Sequence, residues 1–180
     1  CNTAPFSFFN GVSDEPPTLM FCVGKRPDGS GDKDTLVNIR RHGEFVVHLC
    51  DEDTIEALSF TAGDFPPGVE ELTEYGGLTL VPSATISVPR IAEAPVAYEC
   101  RLLRLVDLEG TYTMVIGRIE SLYVRDDLLI DGDKIDFLRY RPVGRLAGST
   151  YAYVRELFNI TRLSYARYRQ DPQAERERTR

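Results

Sequence analysis

The sequence predicts a mainly β, antiparallel barrel carrying small helices. Three observations support this: short apolar runs with period-two alternation between Gly and Pro positions, few and short helical stretches lying between those runs, and no regular βαβ alternation. The alternation marks strands at residues 4–9, 18–23, 44–49, 77–81, 96–106 and 111–124. The stretch "YECRLLRLVDLEGTYTMVIGRIESLYV" reads as two long strands joined at Glu109-Gly110, with Gly110 expected to supply the positive φ of a tight turn. Helices are predicted over 34–42 closed by Gly43, 53–62 closed by Gly63, and 69–75 closed by Gly76. In the second, Asp53 with Glu56 three residues later has the spacing of a capping box.

At 180 residues and 42% hydrophobic, the chain has the length and apolar content of one domain. No apolar run approaches the roughly 20 residues that cross a bilayer, and no secretory pattern opens the sequence, so a soluble protein is expected. A net charge of −7 and no long basic stripe argue against nucleic acid as the main partner. Cys1, Cys22, Cys50 and Cys100 lie far apart without a C-x-x-C pair, and two histidines cannot complete a zinc set. No metal site is expected, and buried thiols in a reducing cytoplasm are the reading adopted.

Two stretches carry the candidate chemistry. "NTAPFSFFN" sets Phe6, Phe8 and Phe9 beside the uncharged hydrogen-bonding groups Ser7 and Asn10, which suits either a barrel-core strand or the floor of a pocket for a flat, polar-edged cofactor. Strand alternation would send Phe6 and Phe8 to one side and Phe9 to the other. In "KDTLVNIRRHGEF", Asp34 is placed to cap a helix beginning at Thr35, so that backbone amides, the Thr35 hydroxyl and the Lys33 ammonium converge at one helix start, either as an ordinary capped helix or as a phosphate site. The Asp34 carboxylate itself repels phosphate and is assigned to capping or to orienting Lys33.

The loop "GKRPDGSGDK" reads equally as a surface turn or a phosphate shield, and it lacks the spacing of a P-loop; no G-x-G-x-x-G occurs. Structural roles are expected for His42, at a helix end, and for His48, in a strand. No Ser stands in a G-x-S-x-G elbow, and Glu70-Glu71 and Asp126-Asp127 read as solvated charge, so no catalytic residue is named. "RPVGRLAGSTYAYVRELFNITR" gathers Arg141, Arg145, Ser149 and Tyr151 around two glycines that permit close approach to a ligand or a second subunit.

Taken in order, "NTAPFSFFN", "KDTLVNI" with "GEFVVHL", "PRIAEAPVAYECRL", "VIGRIESLYV" and "RPVGRLAGSTY" resemble the flavin reductase-like, FMN-binding split-barrel family, which includes flavoredoxin and the reductase components that feed flavoprotein oxygenases. The resemblance covers most of the chain up to Tyr151. It implies a six-stranded antiparallel Greek-key split barrel over residues 1–165, followed by a polar tail at 166–180, and a homodimer with FMN near its interface. Since the family has a strand before "NTAPFSFFN", a strand is expected to precede Cys1. By the same resemblance Thr3, Ala4, Pro5, Phe6, Ser7 and Asn10 border the isoalloxazine and ribityl chain. Lys33 and Thr35, with Asp34 between them, mark the phosphate end, and Arg145 and Tyr151 reach the partner's flavin. The implied activity is hydride transfer from NADH or NADPH to flavin, with a flavin-dependent monooxygenase as a partner class. The alternative is an FMN-binding electron carrier or sensor without NAD(P)H turnover. Because the cofactor carries such chemistry, the want of a catalytic dyad agrees with either.

Overall fold

The computed structural model describes residues 1–63, 65, 69–160, 164–170 and 178–179. In chain order it holds β1 (Phe9–Asp14), β2 (Pro17–Gly24), α1 (Asp34–His42), β3 (Glu44–Leu49), α2 (Ile55–Thr61), a π-helical turn at Glu71–Tyr75, β4 (Leu80–Val81), β5 (Arg90–Ile91), β6 (Val96–Leu108) and β7 (Tyr112–Val124). These are followed by β8 (Leu129–Ile130), β9 (Lys134–Ile135), α3 (Phe137–Tyr140), β10 (Val143–Arg145), β11 (Tyr151–Tyr153), β12 (Asn159–Ile160), α4 (Tyr165–Gln170) and β13 (Arg178–Thr179). The molecule is mainly β and antiparallel, with small helices between strands, as the sequence predicts. Among the described residues the main sheet has five strands in the order β1-β2-β7-β6-β3, where the resemblance implies six.

The sheet curls. Between β2 and β3 lie β7 and β6, so in a flat sheet they would stand about 14 Å apart at the usual strand spacing. Yet the Phe21 and Phe45 rings, one from each, meet edge to face with centroids 5.4 Å apart. Bulges in β6 at Glu99/Cys100 and Leu102/Arg104 supply the bend. Alternation along β2 sends Leu19, Phe21 and Val23 inward, where they join Leu36 and Ile39 of α1, Phe45, Cys100 and Val115 in one core. A second core gathers Leu58, Leu72, Leu78, Ile91 and Ala94 beneath α2, and a third joins Val96, Leu128 and Tyr140.

Helix α1 ends where expected: Gly43 is left-handed at φ 68°, and its amide bonds to the Ile39 carbonyl at 2.9 Å. Its start differs. Lys33 is the N-cap, Asp34 is the first helical residue, and no side chain caps the helix; Asp34 instead pairs with Arg26 at 2.6 Å. Nor does Asp53 cap α2. That role falls near Asp51, buried and accepting from the Thr54 amide (3.0 Å) and hydroxyl (2.7 Å), while Asp53 lies outside and pairs with Arg141.

Other expectations shift for local reasons. Residues 4–8 form no strand: the Ser7 side chain bonds to Leu146 and Arg145, and of this stretch the Phe8 carbonyl alone accepts from β2, at Cys22; the strand runs from Phe9 to Asp14 instead. Without strand alternation, Phe6 and Phe9 pack on the core, while Phe8 turns out against Tyr112. Gly110 is not in the positive-φ region, and a three-residue connection joins the Leu108 and Tyr112 partners. Residues 69–75 give only the π-helical turn, followed by Gly76 at φ −81°, and strand 77–81 shortens to β4. Of the tail, α4 and the β12–β13 pairing are described; residues 171–177 and 180 lie outside the described residues.

Gly117 of β7 makes the curl possible. A Cβ there would come within 2.4 Å of Phe45 Cζ, in the middle of the first core. Gly117→Ala is therefore expected to destabilise the fold by about 1–3 kcal/mol, the usual cost of overpacking, read as a lower urea midpoint at unchanged slope.

Candidate functional site

Residues 1–8 form an irregular strap whose polar side chains reach three separate elements. Asn2 Nδ2 donates to Thr35 Oγ1 at the first turn of α1 (2.9 Å), and Asn2 Oδ1 accepts from Asn38 Nδ2 one turn later (2.8 Å). The Thr3 amide donates to Glu71 Oε1 (3.3 Å) at the π-helical turn, and the Thr3 hydroxyl bonds to that of Thr61 at the end of α2 (2.8 Å). Ser7 Oγ donates to the Leu146 carbonyl (2.6 Å) and accepts from Arg145 Nη1 (2.7 Å). Pro5, without an N–H, could not have donated to a ladder here in any case.

Under this strap lies a cavity of about 810 Å³. Its other walls are the inner face of α1, the length of β3, the 87–89 loop, and the 142–145 segment with Tyr151. The apolar side is a row of rings, Phe6 against Phe21 (4.7 Å between centroids) and Phe21 against Phe45, both from the core. Polar groups face them at either end of the strap: Thr35 and Asn38 at one, Ser7, Arg145 and Tyr151 at the other. An aromatic floor with polar ends suits a planar ligand that is apolar on its faces and polar at its edge.

Few titratable groups in this cavity are free to act. His48 is buried in its wall, and its Nε2 accepts the Ile91 amide (3.0 Å), so the proton of the neutral ring is assigned to Nδ1. Burial, assisted by the Arg90 charge, pushes its pKa down to about 4. Glu44 is held by the Ser87 hydroxyl (2.6 Å) and amide (2.8 Å) and by Arg101; these bonds, the Ser87 hydroxyl first, hold its carboxyl below the usual range. Burial raises the Cys50 thiol to about 11, which removes it as a thiolate nucleophile near neutrality. All four cysteines are free thiols; Cys100 is buried, whereas Cys1 is exposed. Among the described residues no group of three or more His, Cys, Asp and Glu side chains is placed to hold a metal, and no helix is long and apolar enough to cross a membrane.

Of the eleven residues the resemblance assigns to the cofactor, Thr3, Ala4, Pro5, Phe6, Ser7, Thr35, Arg145 and Tyr151 line this one cavity. Three do not. Asn10 lies on β1 opposite Met20 with its side chain exposed, and Lys33 and Asp34 are exposed at the start of α1. Sequence reasoning missed Asn2 and Asn38, which hold the strap to the helix. The second was detectable: Asn38 stands three residues after Thr35, on the same helical face.

The His48 environment sets a pH dependence. An unfolded chain binds this proton near pH 6.5 and the folded one near 4, so the stabilisation is fully present above about 6.5 and is lost as pH falls between those values. The loss is on the order of 3 kcal/mol by pH 4. Urea unfolding across pH 7 to 4 is expected to show it, and His48→Gln, which does not titrate, is expected to flatten that part of the curve.

Comparison with known proteins agrees with this architecture. Residues 1–139 match the family model described as a flavin reductase like domain. Nitrilotriacetate monooxygenase component B from Bacillus cereus superposes with a TM-score of 0.81 at 37% identity, over 88% of this chain and 79% of that one. The 2-nitrobenzoate 2-nitroreductase NbaA of Pseudomonas fluorescens gives 0.78 at 35% identity, over 92% and 79%. A split-barrel-domain protein of Shewanella frigidimarina shares the fold, with a TM-score of 0.74 at 22% identity over 89% and 76%.

Proposed function

Because the chain belongs to the flavin reductase-like domain family, we propose that it is an FMN-binding oxidoreductase, an NAD(P)H:flavin reductase whose flavin lies in the cavity beneath the strap. One observation supports the reading: Asn2 joins the aromatic strap to the first turn of α1 through Thr35, so the aromatic wall and the start of that helix belong to one cleft.

Residues Thr3 to Ser7 border the ring system and its side chain, with Phe6 on the apolar face. At α1 the helix start has no side-chain cap, so its first amides, the Thr35 hydroxyl and the exposed Lys33 ammonium meet the phosphate. Asp34, paired with Arg26, orients that corner, and Asn10 borders the strap from β1. Tyr151 closes the other end, beside Arg145. When bound, FMN would supply the redox chemistry, that of a hydride acceptor for a nicotinamide. The chain's own part is to hold the two rings in contact and exclude water, which needs no nucleophile and no general acid.

The likeness to a monooxygenase component B supports a flavin-dependent monooxygenase as the acceptor of reduced flavin, and the nitroreductase neighbour supports direct reduction of a bound acceptor as a related use of the same site. A homodimer, a domain spanning 1–165 with the tail 166–180, and a cytoplasmic location are part of the same proposal; four free thiols fit a reducing compartment.

Titration with FMN followed by NADH or NADPH tests the reading. The expected result is a perturbed visible flavin spectrum that bleaches within seconds of adding excess nicotinamide. Bound flavin that stays oxidised would make the protein a carrier or sensor, and no binding would end the proposal. Lys33→Ala with Thr35→Ala is expected to weaken FMN by at least about 1.5 kcal/mol, roughly tenfold, through loss of charge-assisted bonds to phosphate.

A further inference from the structure

The Arg145 side chain lines the cavity, and among the described residues it has no counter-charge. Two of its donors are spent on neutral oxygens, Ser7 Oγ at 2.7 Å and the Gly148 carbonyl at 2.9 Å, and its Nε is buried without a partner. Among the described residues no carboxylate lies within ion-pair distance of it, whereas nearby Arg141 is paired with Asp53 and Glu52, and Arg155 with Glu52. A fork fixed from two sides and left short of acceptors is preorganised for an anionic oxygen group.

We infer that Arg145 is the subsite for the pyrophosphate of the nicotinamide dinucleotide, separate from the place that holds the flavin phosphate. The inference rests on the flavin reading above. FMN carries one phosphate, and the helix-start end of the strap is already fitted to it. Arg145 grips the strap at Ser7, five residues beyond the Asn2 that bonds to Thr35, so a phosphate seated on the helix start leaves Arg145 at the other end of the strap. The second substrate brings two more phosphates, which the Arg145 end is free to take. The net charge of −7 also repels an anionic dinucleotide at long range, so a local uncompensated cation is what admits it.

The test uses the full chain with FMN bound. NADH turnover is measured for wild type, Arg145→Gln and Arg145→Lys, beside titrations with FMN, with riboflavin and with sodium pyrophosphate. For Arg145→Gln the expected result is a KM for NADH raised about tenfold or more, kcat within about twofold, pyrophosphate binding weakened in step and FMN affinity unchanged. Arg145→Lys should fall between, since it keeps the charge and loses the fork. In the wild type, pyrophosphate should inhibit competitively against NADH, a readout that needs no variant to fold. Weaker FMN with unchanged riboflavin would place Arg145 on the flavin phosphate and overturn the inference. So would an unchanged KM, or pyrophosphate inhibition that is not competitive. A wild type that binds no FMN or shows no NADH oxidation would instead overturn the flavin reading itself, and the inference with it.

Discussion

The carboxamide of Asn2, donating to Thr35 and accepting from Asn38, is the contact on which the cleft depends. It fastens an irregular eight-residue strap to a helix that is itself buried in the main core through Leu36 and Ile39. Each such bond contributes only about 0.5–1.5 kcal/mol net, so the Asn2 contact sets where the strap meets the helix and other bonds reinforce it. The bonds of Thr3 to Glu71 and Thr61, and of Ser7 to Arg145 and Leu146, distribute the task along its length. What makes the arrangement firm is Phe6, whose ring meets Phe21 inside the curled sheet. The strap is thus pinned by polar bonds at intervals and by one apolar anchor between them.

The barrel places those anchors. Inward aromatic side chains of β2 and β3 touch only because β6 and β7 bend between them, and the bend requires a bare position at Gly117 beneath Phe45. The same curl leaves β3 at the sheet edge, running along the cavity. Fold and site therefore share residues: Phe21 and Phe45 stabilise the core on one side of their rings and floor the cleft on the other. Charge is disposed to match. Glu44 and Asp51, near or within the interior, are satisfied by neighbouring hydroxyls and amides, while Arg145 is left with neutral partners.

Where local rules and tertiary packing agree, the sequence was legible. Helix α1 shows it: Leu36 and Ile39 three apart, basic residues in the last turn, and Gly43 to stop it all point to the bounds observed. β3 likewise runs from Glu44 to Leu49, as its period-two pattern indicates. Where polar side chains bond at long range, the sequence misled. "NTAPFSFF" alternates like a strand, but Asn2, Thr3 and Ser7 find partners 33 to 139 residues away, and nothing local encodes those bonds. Asp53 and Glu56 have capping-box spacing, yet the buried Asp51 beside Thr54 offers better-shielded bonds and takes that corner. The family resemblance named strap residues that do line the cavity, while Asn10 and Lys33, adjacent in sequence to the right elements, lie exposed outside its lining.

Backbone hydrogen exchange with and without FMN measures the central claim most directly. If the strap and the helix start close over one ligand, residues 2–7 and the first turns of α1 gain protection together on adding FMN, while the hairpin tip near Gly110 does not change. Protection confined to that tip, or none in the strap at saturating FMN, would contradict the account.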